Sequence, residues 1–142
     1  MNILVVDGQG GGIGRQLVDA LKKNFTNIDI TAVGTNVLAT QAMLKAGANH
    51  GATGENAILV GCRHADIIMG PVGIVIADSL WGEISPAMAT AIGQSRAVRI
   101  LLPMNQCNNL IAGIEDVSVG KLVEGAMKEV ARVLQNNRCN PV

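Results

Sequence analysis

Residues 2–15 read NILVVDGQGGGIGR, and the predicted architecture of this chain is built around them. An apolar run of strand length ends at Asp7, five glycines follow between Gly8 and Gly14, and apolar residues then recur at helical spacing. This order of strand, glycine turn and helix is typical of dinucleotide-binding units, in which the turn holds a pyrophosphate. A strand that opens such a unit lies at the centre of a doubly wound sheet.

The glycines suit a loop that approaches a phosphate closely, because a Cβ would block the anion or forbid a turn with positive φ. The helix predicted to begin near Gly12 would offer unpaired N–H groups and the positive end of its dipole. We therefore expect a phosphate-bearing ligand to contact this loop at Asp7, Gly8, Gly10, Gly11, Gly12, Ile13, Gly14 and Arg15. The alternative is a tight strand-to-helix turn that binds nothing.

Length predicts one domain over residues 1–142, and composition predicts that another protein chain covers part of its surface. Charged residues make up 15% of the chain, against roughly 25% in an average globular protein, and the mean hydropathy is +0.34. So little charge predicts apolar surface that another protein chain covers. A second copy of the same chain is the simplest partner, so we expect a homo-oligomer, with a homodimer as its smallest form.

Composition also argues against several functional classes. No apolar run approaches the roughly 18 residues of a membrane helix, and no charged-then-apolar leader precedes the first strand, so we expect no membrane association. The formal charge is zero and basic residues do not cluster, which argues against a nucleic-acid partner. Three scattered cysteines are typical of reduced thiols and predict a cytoplasmic protein.

Beyond the glycine loop, strands and helices alternate along the chain. Residue patterns predict strands over 28–33, 48–52 and 98–102, and helices over 12–24, 37–46, 54–63, 86–94 and 119–134. Helix caps are expected at Thr53, Ser85 and Ser118, and a frayed polar tail from residue 135. Such alternation predicts an α/β fold, a three-layer Rossmann-like sandwich around a mostly parallel, doubly wound sheet.

Residues 66–77 hold two apolar runs divided by Gly-Pro-Val-Gly, and this segment has two interpretations. The divider is too short for a parallel crossover connection, which takes a dozen or more residues. Either the two runs form an antiparallel hairpin, or the first run is an edge segment that leads into a central strand. We favour residues 74–77 as a central parallel strand with Asp78 at its carboxyl end, and the hairpin stays open.

Polar residues recur where the predicted strands end, and ligands in open α/β sheets bind outside those carboxyl ends. This adds Thr35, Asn36, Asp78, Ser79 and Asn105 to the predicted ligand contacts. NAD-binding units carry an acid near the end of strand two, whereas Thr35 or Asn36 stands there in this chain. Because Arg15 could meet a 2′-phosphate, NADP is slightly favoured over NAD. The absence of an acid at this position is equally consistent with a ligand other than a dinucleotide. Arg15 could also be only a solvated residue of the first helical turn.

Two resemblances follow from these motifs. The spacing of Gly8, Gly12 and Gly14 resembles the glycine loop of short-chain dehydrogenases, but only over the first strand, loop and helix. Those enzymes use a Tyr-x-x-x-Lys pair, and this chain has no tyrosine, so their mechanism does not carry over. Over nearly the whole chain, the opening together with DSLWGEI at 78–84 and LPMN at 102–105 resembles a small bacterial family of unknown function. That resemblance implies a Rossmann-like fold, but it indicates no particular activity, because none is assigned to the family.

Asp78 and Glu83 are the candidate catalytic residues, because they flank a glycine-containing loop at a predicted strand end. One could act as general acid or base while the other binds ribose or a metal-bound phosphate. Alternatively, Asp78 caps a turn and Glu83 sits near a helix N-terminus.

The Cys62, His64 and Asp66 run invites a metal interpretation, but residues two apart on a helix point to different faces. With no second clustered pair of ligands, we expect no metal site. We likewise do not expect Cys107 and a histidine to form a nucleophile–base pair.

Two functional classes remain. The first is a nucleotide- or dinucleotide-binding protein, enzyme or sensor, with its ligand on the loop at residues 8–14. The second is a non-catalytic, homo-oligomeric interaction or regulatory protein that keeps a Rossmann-like fold without a ligand. Five glycines in one loop favour the first class, since a pure scaffold does not need them.

Overall fold

The computed structural model describes residues 1–104 and 108–139. In chain order the elements are β1 (Asn2–Asp7), α1 (Gly12–Asn24), β2 (Asp29–Gly34), α2 (Val37–Lys45), β3 (His50–Thr53), α3 (Glu55–His64), β4 (Ile67–Pro71), a 3-10 turn (Val72–Val75), α4 (Pro86–Gln94), β5 (Val98–Leu102) and α5 (Val119–Cys139). No helix in this part of the chain is long and apolar enough to cross a membrane.

The strands form one sheet in the order β3-β2-β1-β4-β5, and all of the observed pairs are parallel. β1 is central. The chain adds β2 and β3 on one side of it and then β4 and β5 on the other. Helices α1, α2 and α5 cover one face of the sheet, while α3 and α4 cover the other. The predicted three-layer, doubly wound α/β fold is confirmed. Its switch point lies between β1 and β4, where such sheets open a crevice.

The side chains of β1 alternate between the two apolar layers, as the pleat of a strand requires. Ile3 and Val5 pack with α1, α2 and α5, while Leu4 and Val6 pack with α3 and α4. Both layers are buried, which explains why β1 reads as a continuous apolar run in the sequence. The strand therefore delivers Asp7, its last residue, to the carboxyl edge of the sheet.

The prediction for residues 66–77 is wrong. The strand is the first apolar run, β4, which lies between β1 and β5 and is buried along its whole length. Residues 74–77 form no strand, and no hairpin forms, because the chain turns into the 3-10 segment directly after Pro71. A Cβ at Gly70 would clash with the Val6 carbonyl oxygen, so the close pairing of β4 with β1 requires glycine there. Asp78 is therefore in the β4–α4 connection, away from a strand end.

Two helix boundaries also differ from prediction. Gly54, with φ of 98°, precedes α3, and the Thr53 hydroxyl instead hydrogen-bonds the Thr40 hydroxyl at 2.7 Å, so the predicted Thr53 cap is wrong. Helix α5 continues past the predicted end at residue 134 to Cys139, and the frayed tail predicted from residue 135 is wrong over that length. The Ser85 cap is confirmed, since its Oγ accepts a hydrogen bond from the Met88 N–H at 3.2 Å.

Candidate functional site

The connection between β1 and α1, residues 8–14, is called the glycine loop here, and Asp7 anchors it from below. The Asp7 carboxylate is buried and accepts hydrogen bonds from the N–H of Gly8 at 2.8 Å and of Gly14 at 2.7 Å. Burial raises the pKa of Asp7, the bonds from Gly14 and Gly8 oppose that rise, and the nearby charge of Glu83 adds to it. The side chain of Asp7 therefore hydrogen-bonds the backbone of the glycine loop and holds its conformation.

Three of the loop glycines are explained by the fold itself. Gly11 has φ of 70°, and a Cβ there would lie 2.7 Å from the Ala39 backbone. A Cβ at Gly14 would meet Met43 of α2, and one at Gly8 would lie 2.5 Å from a carboxylate oxygen of Glu83. Any side chain at these positions would push α2 or the neighbouring loop away.

Gly10 and Gly12 are different, because nothing in the fold requires them to be glycine. Both are exposed, neither has a positive φ, and a Cβ at either would have no described atom within 4 Å. Their N–H groups donate to no partner within residues 1–104 and 108–139. The loop therefore presents bare, unpaired backbone at the amino end of α1, a position that favours an anion.

The glycine loop forms one wall of a cleft of about 270 Å³ at the carboxyl ends of β1 and β4. Of the predicted contacts, the cleft is lined by Asp7, Gly8, Gly10, Gly11, Gly12 and Ile13. The prediction missed the other lining residues, which are Gln9, Gln16, Pro71, Leu80 and Met104. The last three are distant from the loop in sequence, since Pro71 ends β4 and the other two lie in later connections, so local spacing held no signal for them.

Thr35 and Asn36, which follow β2, do not line the cleft, but both contact Glu83, and the Asn36 amide also donates directly to the Gln9 carbonyl oxygen of the glycine loop at 2.9 Å. The Thr35 hydroxyl donates to Glu83 Oε2 at 2.7 Å, and the Asn36 amide donates to Glu83 Oε1 at 3.1 Å. The N–H of Gln9 also donates to Glu83 Oε2, at 2.6 Å. Partial burial alone would raise the pKa of Glu83, but these hydrogen bonds outweigh burial and hold the pKa below its ordinary value.

The connection from β4 to α4 folds back on itself and carries Glu83 to this position. The Asp78 N–H donates to the Ile84 carbonyl oxygen at 2.8 Å, and the buried Ser79 hydroxyl donates to the Gly73 carbonyl oxygen. Neither side chain lines the cleft, and Asp78 is exposed. The two predicted acids therefore differ in place, since Glu83 contacts the glycine loop and Asp78 faces solvent.

The remaining predicted residues lie outside the cleft or outside the described residues. Gly14 is buried beneath the loop, and Arg15 is exposed on the first turn of α1. Asn105 and Cys107 fall outside the described residues. Cys62 is buried on α3, where burial raises the pKa of its thiol. Over the described ranges, no group of three or more His, Cys, Asp or Glu side chains could hold a metal ion.

The arrangement around Glu83 removes the reason to favour NADP over NAD. That preference depended on a missing acid at the end of β2, where the sequence has Thr35 and Asn36. The fold brings the carboxylate of Glu83 to both of these side chains. An acid is therefore present at the end of β2, supplied by a different connection.

Comparison with known proteins gives a family match and distant structural similarity. A family model described as DUF3842, a domain of unknown function, matches residues 2–135, which agrees with the predicted resemblance to an uncharacterised family. No curated protein matches the chain. A dodecameric FMN-dependent Ubix-like decarboxylase from Escherichia coli O157:H7 is similar in structure, with 17% identity, a TM-score of 0.49, and coverage of 94% of this chain and 76% of that one. A similarity this distant carries no information about the ligand.

Proposed function

The chain belongs to the DUF3842 family, a domain of unknown function, and we propose that it is a nucleotide-binding protein that holds its ligand's phosphates on the glycine loop. The observation that carries this proposal is the pair Gly10 and Gly12. Glycine loses more conformational freedom on folding than any other residue, and no contact within the described chain requires it at these two positions. A ligand that packs directly against the backbone would explain both glycines, because a side chain at either position would occupy the space of the ligand.

The electrostatics of the loop support an anion there. Asp7 already accepts the N–H of Gly14, so a phosphate would use the exposed N–H groups of Gly10 and Gly12. The dipole of α1 stabilises a negative charge at this end by roughly 0.3–1 kcal/mol when the site is exposed. That contribution is small, so hydrogen bonds to the backbone must supply most of the affinity for phosphate.

The cleft also fits the location expected for a nucleotide. It opens at the switch point of the sheet, between the carboxyl ends of β1 and β4, where ligands of doubly wound folds bind. Its remaining walls include the apolar side chains of Leu80 and Met104, which could contact the uncharged part of a nucleotide. We assign no reaction. Of the two candidate acids, Glu83 contacts the glycine loop, whereas Asp78 does not line the cleft.

Gly12→Val tests the proposal directly, because the added methyl groups enter only the space that a phosphate would fill. Gly125→Val is the matched control, since Gly125 is an exposed α5 glycine whose Cβ would also have no described atom within 4 Å. Both variants should fold, because neither position has a positive φ or a close neighbour. Each protein is melted with and without NAD, NADP, ATP, ADP, FMN and coenzyme A at millimolar concentration.

A ligand at one hundred times its Kd stabilises a fold by about 2.7 kcal/mol, which at roughly 2–4 °C per kcal/mol shifts the midpoint by several degrees. We expect at least one nucleotide to raise the wild-type and Gly125→Val midpoints and to leave that of Gly12→Val nearly unchanged. If no nucleotide shifts the wild type, or if Gly12→Val shifts equally, the loop is only a turn and the proposal is wrong.

A further inference from the structure

The end of β2 has no acidic residue in sequence, yet the fold places one there. Glu83 reaches it from the β4–α4 connection, 48 residues beyond Thr35, and accepts the Thr35 hydroxyl at 2.7 Å. Its carboxylate also lies directly over the first glycine of the loop, since a Cβ on Gly8 would be 2.5 Å from Glu83 Oε2 and 2.8 Å from Thr35 Oγ1. The carboxylate thus stands between the glycine loop and the end of β2.

A carboxylate at this position has a known physical use in dinucleotide-binding sheets. There, an acid near the end of strand two accepts a hydrogen bond from the ribose 2′-hydroxyl, and a basic residue replaces it when the ribose carries a 2′-phosphate. The acid in those folds belongs to the β2 connection itself. Here Thr35 and Asn36 occupy that connection and act as donors that position Glu83.

We propose that Glu83 makes the site selective for nucleotides with a free ribose 2′-hydroxyl and excludes those with a 2′-phosphate. This inference rests on the proposed nucleotide site on the glycine loop. A carboxylate offers about four acceptor positions, and three are used by Gln9, Thr35 and Asn36. One position on Oε1 remains for a ribose hydroxyl, whereas a phosphate would bring a second anion against the first.

The charge on Glu83 is maintained and unopposed in this setting. Its three hydrogen bonds favour the ionised form and keep its pKa below the ordinary value. No Lys or Arg in the described parts of the chain forms an ion pair with it. Like charges placed together at a binding site repel each other, so we expect a preference of at least about ten-fold for the unphosphorylated ribose, which corresponds to about 1.4 kcal/mol.

The competing explanation is that Glu83 only joins three connections, in which case its removal would change stability without changing selectivity. The experiment therefore measures a ratio of affinities. Calorimetric titration compares NAD with NADP, and AMP with adenosine 2′,5′-bisphosphate, two pairs that differ only in the 2′-phosphate. The proteins are wild type, Glu83→Gln and, as a matched loss of one charge, Glu124→Gln on the exposed side of α5.

We expect wild type and Glu124→Gln to bind the unphosphorylated member of at least one pair about ten-fold more tightly, and Glu83→Gln to lose most of that preference. Melting without ligand shows whether Glu83→Gln folds, and Glu83→Ala is used if it does not. If neither variant folds, the ratio of the two affinities measured for wild type decides. Equal binding of both members by wild type, or an unchanged ratio in a folded Glu83 variant, overturns the inference while the nucleotide site stands. Failure of wild type to bind any of the four compounds overturns the inference. If in addition no other nucleotide shifts its melting, the proposed function fails as well.

Discussion

Asp7 and Glu83 are two carboxylates at one site whose pKa values are shifted in opposite directions. For Asp7, burial is the largest influence and outweighs the hydrogen bonds from Gly14 and Gly8, so its pKa is raised. Glu83 is only partly buried, and the donors of Gln9, Thr35 and Asn36 outweigh burial, so its pKa is lowered. The same chemical group therefore serves as a loop anchor in one place and as a persistent charge in the other.

Glu83 should make a stability contribution that depends on pH. Because its folded pKa lies below the unfolded value of about 4.3, the contribution is present above that value and is lost as the pH falls through the folded pKa. The raised pKa of Asp7 has the opposite sign. Its largest cause is burial, which is common to wild type and Glu83→Gln, and the loss of the Glu83 charge removes only the smaller Coulombic part. We expect the difference in free energy of unfolding between these two proteins to be largest at neutral pH and to shrink in acid, measured by urea unfolding.

A difference that stays constant from neutral to acidic pH would show that the Glu83 charge contributes no stability. Glu124→Gln serves as the control, because its exposed side chain should give a small effect at every pH. The comparison thus separates the charge of Glu83 from the general effect of replacing a glutamate with glutamine.

At the level of secondary structure, β4 explains how the cleft is built. It is a five-residue strand, buried from Ile67 to Pro71, that pairs with β1 on one side and β5 on the other. Pro71 then ends the strand at the cleft, and the following connection places Leu80 and Glu83 against the glycine loop. The position of β4 next to β1 therefore brings these residues to the glycine loop.

Gly70→Ala should destabilise the protein because the new Cβ would clash with the Val6 carbonyl oxygen across the β1–β4 pair. Overpacking of this kind costs about 1–3 kcal/mol. Gly93→Ala is the matched control, since Gly93 lies in α4 with open space around it, and alanine there should stabilise the helix by up to about 1 kcal/mol. Chemical unfolding of both variants measures the effect. A Gly70→Ala protein as stable as wild type would contradict the close pairing.

For the molecule as a whole, the described surface carries large apolar side chains close in sequence to the site. Trp81 is 91% exposed, two residues before Glu83, and Leu38 is 70% exposed, two residues after Asn36. Val37 and Leu110 are also exposed. Scattered apolar residues are ordinary on protein surfaces, whereas a contiguous patch marks an interaction site. Val37, Leu38 and Trp81 are candidates for such a patch, and with the low charge they are the basis for proposing a homo-oligomer.

Purified protein should therefore have at least twice the 14.7 kDa mass of one chain at micromolar concentration. Light scattering coupled to size-exclusion chromatography measures this mass. Leu38→Lys should reduce it if α2 contributes to the contact, while Lys121→Ala on the exposed side of α5 should leave it unchanged. A wild-type mass of one chain would show that the exposed apolar side chains do not support self-association under these conditions.

Features that depend on neighbours in sequence were predictable from the residues alone. The apolar run of β1, the glycine loop, the start of α1 and the Ser85 cap each depend on local backbone geometry, which a few consecutive residues specify. The alternation of strands and helices then led to the α/β class, because parallel strands need helical crossovers. The loop glycines that line the cleft follow from the same local pattern.

Features that depend on packing between distant segments became visible only in three dimensions. Both apolar runs within residues 66–77 have strand-like composition, and the choice of β4 follows from its burial between β1 and β5. The arrival of Glu83 at Gln9 joins positions 74 residues apart, through a connection that folds back on itself. No local period encodes such a contact, because the positions of whole strands decide which connections meet at the edge of the sheet.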